Sequence, residues 1–139
     1  MGFTRYYEIK KKLDPDTFKK FSQDCKTVCE YITQTSGVQI AGYDGTGDPI
    51  FESGAVSFNG VNDLAHESFG IESKSLGFYF TKTQRKPYDR HVQICLELAK
   101  VYFGDSIEVS SDGDDDETVG SLIKQFLREK KIGQILNDN

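Results

Sequence analysis

Lys82, Arg85 and Lys86 crowd a loop that leaves the aromatic strand LGFYFT and enters a helix announced by Pro87. The first turn of a helix carries unpaired backbone N–H groups and a partial positive charge, so cations beside it make an anion site. Thr83 adds a hydroxyl and Tyr88 a ring, which together supply the donors and the stacking surface of a phosphate or nucleotide site. Arg5 belongs to a second aromatic strand, FTRYYEIK, with Tyr7 two residues on. It alternates with Phe3, Tyr7 and Ile9, which turns it towards the helix side of the sheet, where a charge needs a partner such as Asp89 or Asp112. The expected ligand site therefore comprises Arg5, Lys82, Arg85 and Lys86 on phosphate, Tyr7 and Tyr88 as stacking rings, and Asn59 and Thr83 as hydrogen-bonding groups.

Other reactive groups point away from catalysis. In FNGVNDLAHESF, residues 58–69, His66 and Glu67 are adjacent, so in a strand they face opposite sides and cannot share one site. No GxSxG elbow accompanies Ser68. Asp112, Asp114 and Asp116 alternate as calcium ligands do, but the sixth and twelfth positions of that loop hold Glu117 and Ile123 where an EF-hand requires Gly and Glu. DGTGDP, residues 44–49, lacks the GK[ST] of a phosphate loop and reads as a hairpin turn. Cys25, Cys29 and Cys95 fall on the apolar faces of helices, where free thiols pack as small hydrophobes, and no zinc spacing is present. Neither a catalytic residue, a metal nor a cofactor is expected.

The elements that must position these groups follow from periodicity. Residues 3–10 alternate as a strand. Leu13-Asp14-Pro15 then opens a helix with Asp14 as N-cap, and Phe18, Phe21, Cys25, Val28, Cys29 and Ile32 form its apolar stripe up to Ser36-Gly37. Short strands are expected at 38–41, 55–59, 67–72 and 77–83, a helix at 87–103 closed by Gly104, and a strand at Ile107–Val109. A third helix is expected at about 116–131, ahead of a frayed tail at 132–139 that Ile135 and Leu136 could attach.

The order strand, Lys-rich turn, Pro and Asp, helix, strand, Asp-Gly occurs twice. It predicts one α+β domain over 1–139, with a mixed, mainly antiparallel sheet of about six strands. Two main helices pack on one face, the first aromatic strand and residues 77–83 run near the middle of the sheet, and a split βαβ is the nearest named motif. Phe78 and Phe80 are expected to face the helices, with Val56, Phe58, Ile107 and Val109. The opposite face then carries Tyr79, Thr81, Ser57, Asn59, Glu108 and Ser110.

Composition bounds the partners. With 37% hydrophobic and 28% charged residues the chain reads as globular, its apolar runs are too short to cross a bilayer, and MGFTRYYEIKKK lacks a signal-peptide pattern, so a cytoplasmic protein is expected. A net charge of −5 disfavours binding to duplex nucleic acid while leaving room for a local basic site.

FTRYY, VSFNG, HESF, FTKTQRKPYD and IEVSSDG, in that order over nearly the whole chain, resemble a family of small, uncharacterised proteins of bacteria, bacteriophages and large DNA viruses. Relatives tend to carry Trp where Tyr7 stands. The resemblance implies a single-domain protein of phage or bacterial cytoplasm and transfers no activity. The leading expectation is non-enzymatic binding of a small anionic, nucleotide-like ligand at the end of the central strands, which in a phage would sequester a nucleotide signal. The alternatives are a protein-interaction module or homodimer using the Tyr/Thr/Ser sheet face or the acidic loop 112–117, and an enzyme on a phosphorylated substrate using Glu67, His66 or Asp112.

Overall fold

The computed structural model describes the backbone of residues 2–137 and the side chains of residues 2–130. Its elements are β1 (Thr4–Ile9), α1 (Pro15–Ser36), β2 (Ile40–Ala41), β3 (Ile50–Phe51), β4 (Ala55–Gly60), β5 (Phe69–Glu72), β6 (Gly77–Lys82), α2 (Asp89–Phe103), β7 (Ile107–Ser111) and α3 (Glu117–Asn137). The chain is α+β, as its periodicities predict, and every strand pairing is antiparallel.

Local chemistry accounts for the helices. Asp14 accepts the Thr17 N–H at 2.9 Å and so satisfies one of the orphan donors of α1. At the other end Gly37 takes the left-handed conformation at φ 77° and returns its N–H to Thr33. The six residues of the α1 stripe are all buried, as is Leu13 at the entry. α2 begins at Asp89, beyond Pro87, because Pro87 and Tyr88 form a turn in which Asp89 N–H reaches Lys86 O. α3 continues past Lys131 to Asn137 in place of a frayed tail, while the side chains of Ile135 and Leu136 lie outside the described residues.

The strands form two sheets where one was expected. In the first, β1 is central between β6 and β7, so β6 is an edge strand and not a middle one. β6 and β7 both run antiparallel to β1, hence parallel to each other, and α2 connects them; this is the split βαβ motif. In the second, β4 carries β5 together with β2 and β3. Both β2 and β3 are antiparallel to β4 and therefore run in the same direction. Residues 42–49 are thus an excursion between two parallel-running strands and not a hairpin turn, which would have reversed the chain.

A shared core joins the layers. Phe18, Phe21 and Phe103 pack edge and face with centroids 5.1–5.9 Å apart. Tyr7, Phe58 and Phe69 continue the aromatic packing between the two sheets. α3 is tied on by Lys130, which meets Asp24 of α1 and Tyr102 of α2. Among the described residues no helix is long and apolar enough to cross a membrane.

His91 of α2 is fully buried with its Nε2 at 3.1 Å from Thr33 Oγ1, and its Nδ1 has no partner among the described residues. Burial, helped by the charge of Arg90, lowers its pKa from 6.5 to about 4. The unfolded chain therefore binds a proton that the folded chain refuses, and stability falls as pH drops from about 6.5 towards 4. Between pH 7.5 and 5 the loss is on the order of 2 kcal/mol, and His91→Gln abolishes that part of the pH slope. Urea unfolding of both proteins at the two pH values measures it.

Candidate functional site

The site is built around the turn between β6 and α2. Thr83 and Gln84 both donate their N–H to Phe3 O, at 3.0 and 3.1 Å, which anchors the loop to the start of β1. Gln84 and Arg85 then adopt left-handed conformations at φ 53° and 55°. Such a pair in non-glycine residues costs free energy that the surrounding bonds must offset, and strained backbone concentrates at functional turns. Thr83 Oγ1 donates to Asp89 Oδ1 at 2.6 Å, and Lys86 N–H closes the turn on Thr83 O.

Arg5 lies on the helix side of the sheet, as its alternation requires, and is only 3% exposed. Its Nε and Nη2 donate to the two oxygens of Asp89 at 2.8 and 2.9 Å, and Nη1 donates to Asp115 at 2.8 Å. Gln93 accepts a longer bond at 3.3 Å. Burial works against the charge, but the bonds and charges of Asp89 and Asp115 outweigh it and raise the Arg5 pKa. The partner is Asp89 with Asp115; Asp112 instead receives the Thr4 N–H and the Tyr6 hydroxyl.

Most of the expected ligand contacts are thus engaged within the fold. Tyr7 and Tyr88 are buried, and their hydroxyls donate to Gly70 O and Glu67 O. Thr83 is buried against Asp89. Asn59 is a clamp: its Nδ2 donates to Tyr43 O and His66 O, and its Oδ1 accepts from Gly60 N and His66 N. It closes two loops over the end of β4. Gly60 is required beside it, since a Cβ there would stand 2.2 Å from Leu64 O.

Three cations remain at the surface of the loop, but they do not all converge. Lys82 lies on the outer sheet face, 6.0 Å from the Phe80 ring centre. Arg85 and Lys86 share a cleft of about 410 Å³ with Arg90, which the sequence reading did not single out. Val38 and Pro87 contribute apolar wall, and Asp116, at 3.1 Å from Arg90, contributes a carboxylate held below its usual pKa chiefly by a hydrogen bond from Thr118. Arg85 is braced from behind: its guanidinium sits 3.9 Å over the Phe3 ring and donates to Asp114 O. Lys86 Nζ donates to Asp63 O at 2.8 Å. Arg90 was legible, one residue beyond Asp89 in the first turn of the helix. Val38 was not, because only the packing of α1 against α2 brings its C-terminal loop to the cleft.

The outer face of the first sheet is a second correction. Phe78 and Phe80 are 62% and 50% exposed, while Tyr79 stacks on Tyr7 inside the sheet and Thr81 is buried. The register explains it: Tyr79 pairs with Tyr7 and Thr81 with Arg5, so they share the inner face of β1, and Phe78 and Phe80 share the outer face with Glu8 and Tyr6. For Val56, Phe58 and Ile107 the expected inward orientation is observed; Asn59 is buried as well.

Of the groups named for an enzyme on a phosphorylated substrate, Asp112 accepts bonds from Thr4 and Tyr6 within the fold. His66 is exposed with its backbone held by Asn59, and Glu67 accepts the Lys82 N–H through Oε1. Among the described residues no group of three or more His, Cys, Asp or Glu side chains is arranged to hold a metal ion. No protein-family model, no curated protein and no solved structure matches the chain.

Removing one member of a buried, bidentate ion pair leaves the other charge uncompensated. Asp89→Ala is expected to cost about 3 kcal/mol of folding stability, and Lys86→Ala less than about 0.5 kcal/mol. Chemical denaturation of the two variants checks the contrast.

Proposed function

We propose that this protein binds a small anionic ligand in the cleft at the first turn of α2. The observation that carries the reading is that Arg85, Lys86 and Arg90 line one cavity beside a helix N-terminus. The bracing of Arg85 by Phe3 reduces the ordering cost of holding an anion. Asp116 disfavours a highly charged guest near Arg90, so a compact phosphate or carboxylate group suits the cavity better than an extended polyanion. A nucleotide is a candidate only if its base rests on Val38 and Pro87, since Tyr7 and Tyr88 are enclosed in the core. Sequestration of a nucleotide signal in a phage-infected cell extends this reading on the strength of the sequence resemblance alone.

Thermal denaturation against inorganic phosphate, pyrophosphate and a panel of nucleotides at low ionic strength tests the proposal. Saturating ligand at about a hundred times Kd stabilises by about 2.7 kcal/mol and raises Tm by several degrees. The variant with Arg85→Gln and Lys86→Gln loses the shift while keeping the ligand-free Tm. Absence of any anion-dependent shift overturns the reading.

A second reading rests on a different surface. Leu76, Phe78 and Phe80 are exposed on or beside an edge strand, where natural sheets usually place charges. We propose this face, in place of the Tyr/Thr/Ser face expected, as a protein contact. The acidic loop is a weaker candidate because Asp112, Asp115 and Asp116 bond within the chain. Sedimentation velocity over a range of concentrations is expected to show reversible self-association that Phe78→Lys removes without lowering Tm. A monomer at all concentrations, unaffected by the substitution, argues against a homodimer on this face.

A further inference from the structure

The three cysteines meet where α1 packs on α2. Cys25 and Cys29 stand one turn apart on α1, Cys95 faces them from α2, and all three are buried. Cys29 Sγ and Cys95 Sγ are 3.6 Å apart, in van der Waals contact across the helix pair. A disulfide bond is about 2.05 Å long, so closure requires the two sulfurs to approach by rotation about their side-chain bonds. Van der Waals contact between thiols on two packed helices is the arrangement from which that closure starts.

A second observation concerns access. A cavity of about 480 Å³ lies between the C-terminal half of α1 and the β2–β3 edge, and Cys29 forms part of its lining. Lys26, Glu30, Thr33 and Asp48 line the same cavity beside Ile40, Pro49 and Phe51, so polar groups able to hold water stand next to apolar wall. Cys29 is only 1% exposed and is the one of the three cysteines that lines this cavity; Cys25 and Cys95 do not.

We propose that Cys29 and Cys95 are an oxidisable pair that hydrogen peroxide closes to an intramolecular disulfide, stapling α1 to α2. Cys29, as its thiolate, attacks one peroxide oxygen; the O–O bond breaks and hydroxide leaves, taking a proton to become water. Cys29 is then a sulfenic acid. The Cys95 sulfur attacks the Cys29 sulfur, the S–O bond breaks, and the second oxygen departs as water with the remaining proton. Two thiols and one peroxide become one disulfide and two waters, the sulfurs losing two electrons and the peroxide oxygens gaining them. Burial pushes both thiols well above their ordinary pKa, so the thiolate is scarce and the step is slow compared with a dedicated peroxide sensor. The device responds to sustained oxidation and not to a pulse.

The test is made on the folded full-length chain. After exposure to hydrogen peroxide the protein is denatured, alkylated with iodoacetamide and weighed intact. The expected result is one alkylated thiol instead of three, a mass lower by two hydrogens before alkylation, and a tryptic peptide joining Cys29 to Cys95. Tm rises relative to the reduced protein and returns on treatment with dithiothreitol. Cys25→Ser retains the crosslink, whereas Cys29→Ser abolishes it. Three alkylatable thiols after oxidation, a crosslink through Cys25, or oxygen addition at Cys29 with no crosslink each overturn the proposal. The peptide map of the unmodified sequence decides the pairing even where a serine variant fails to fold.

Discussion

The bidentate contact of Arg5 with Asp89 sets where almost everything else can go. It joins the central strand of the first sheet to the first residue of α2, and Asp115 brings the segment before α3 to the same guanidinium. Thr83 adds its hydroxyl to Asp89 from the end of β6, so four parts of the chain converge on one carboxylate–guanidinium pair. Placing charge in a core is costly unless every oxygen and N–H is satisfied, and here the pairing is nearly complete. The interaction fixes the entry angle of α2 and, with it, the loop that carries Arg85 and Lys86.

That same contact decides the character of the candidate site. A free Arg5 would have made a deep basic pocket on the inner side of the sheet; a neutralised Arg5 moves the available positive charge outward to Arg85, Lys86 and Arg90. The left-handed pair Gln84 and Arg85 turns the chain so that the exposed Arg85 guanidinium lies against the Phe3 ring. The cleft that Arg85, Lys86 and Arg90 line is also partly counter-charged by Asp116. The aromatic residues of the sheet divide likewise, Tyr7 and Tyr79 inward and Phe78 and Phe80 outward, once β1 has fixed its own inner face.

The cysteine cluster and the buried His91 belong to the other side of α2. Both lie where α1 packs on α2, and neither lines the cleft of Arg85, Lys86 and Arg90. The middle helix therefore carries two spatially separate groups, the thiols on one flank and the basic cleft on the other.

Short-range signals carried the parts of this protein that depend on neighbours in sequence. The Asp14–Pro15 start and Gly37 end of α1, its buried stripe, the α+β class, the split βαβ order and the inward turn of Arg5 all follow from spacing, capping and alternation. What depends on pairing between distant segments was not legible. Both parities of FYFT are plausible inner faces, so only the register of β6 on β1 could expose Phe78 and bury Thr81. The direction shared by β2 and β3, the occupation of Tyr88 and Asn59 by backbone groups, and the arrival of Val38 beside Arg90 likewise require contacts far apart in the chain. Periodicity tells which residues share a face; it does not tell which face the rest of the molecule will cover.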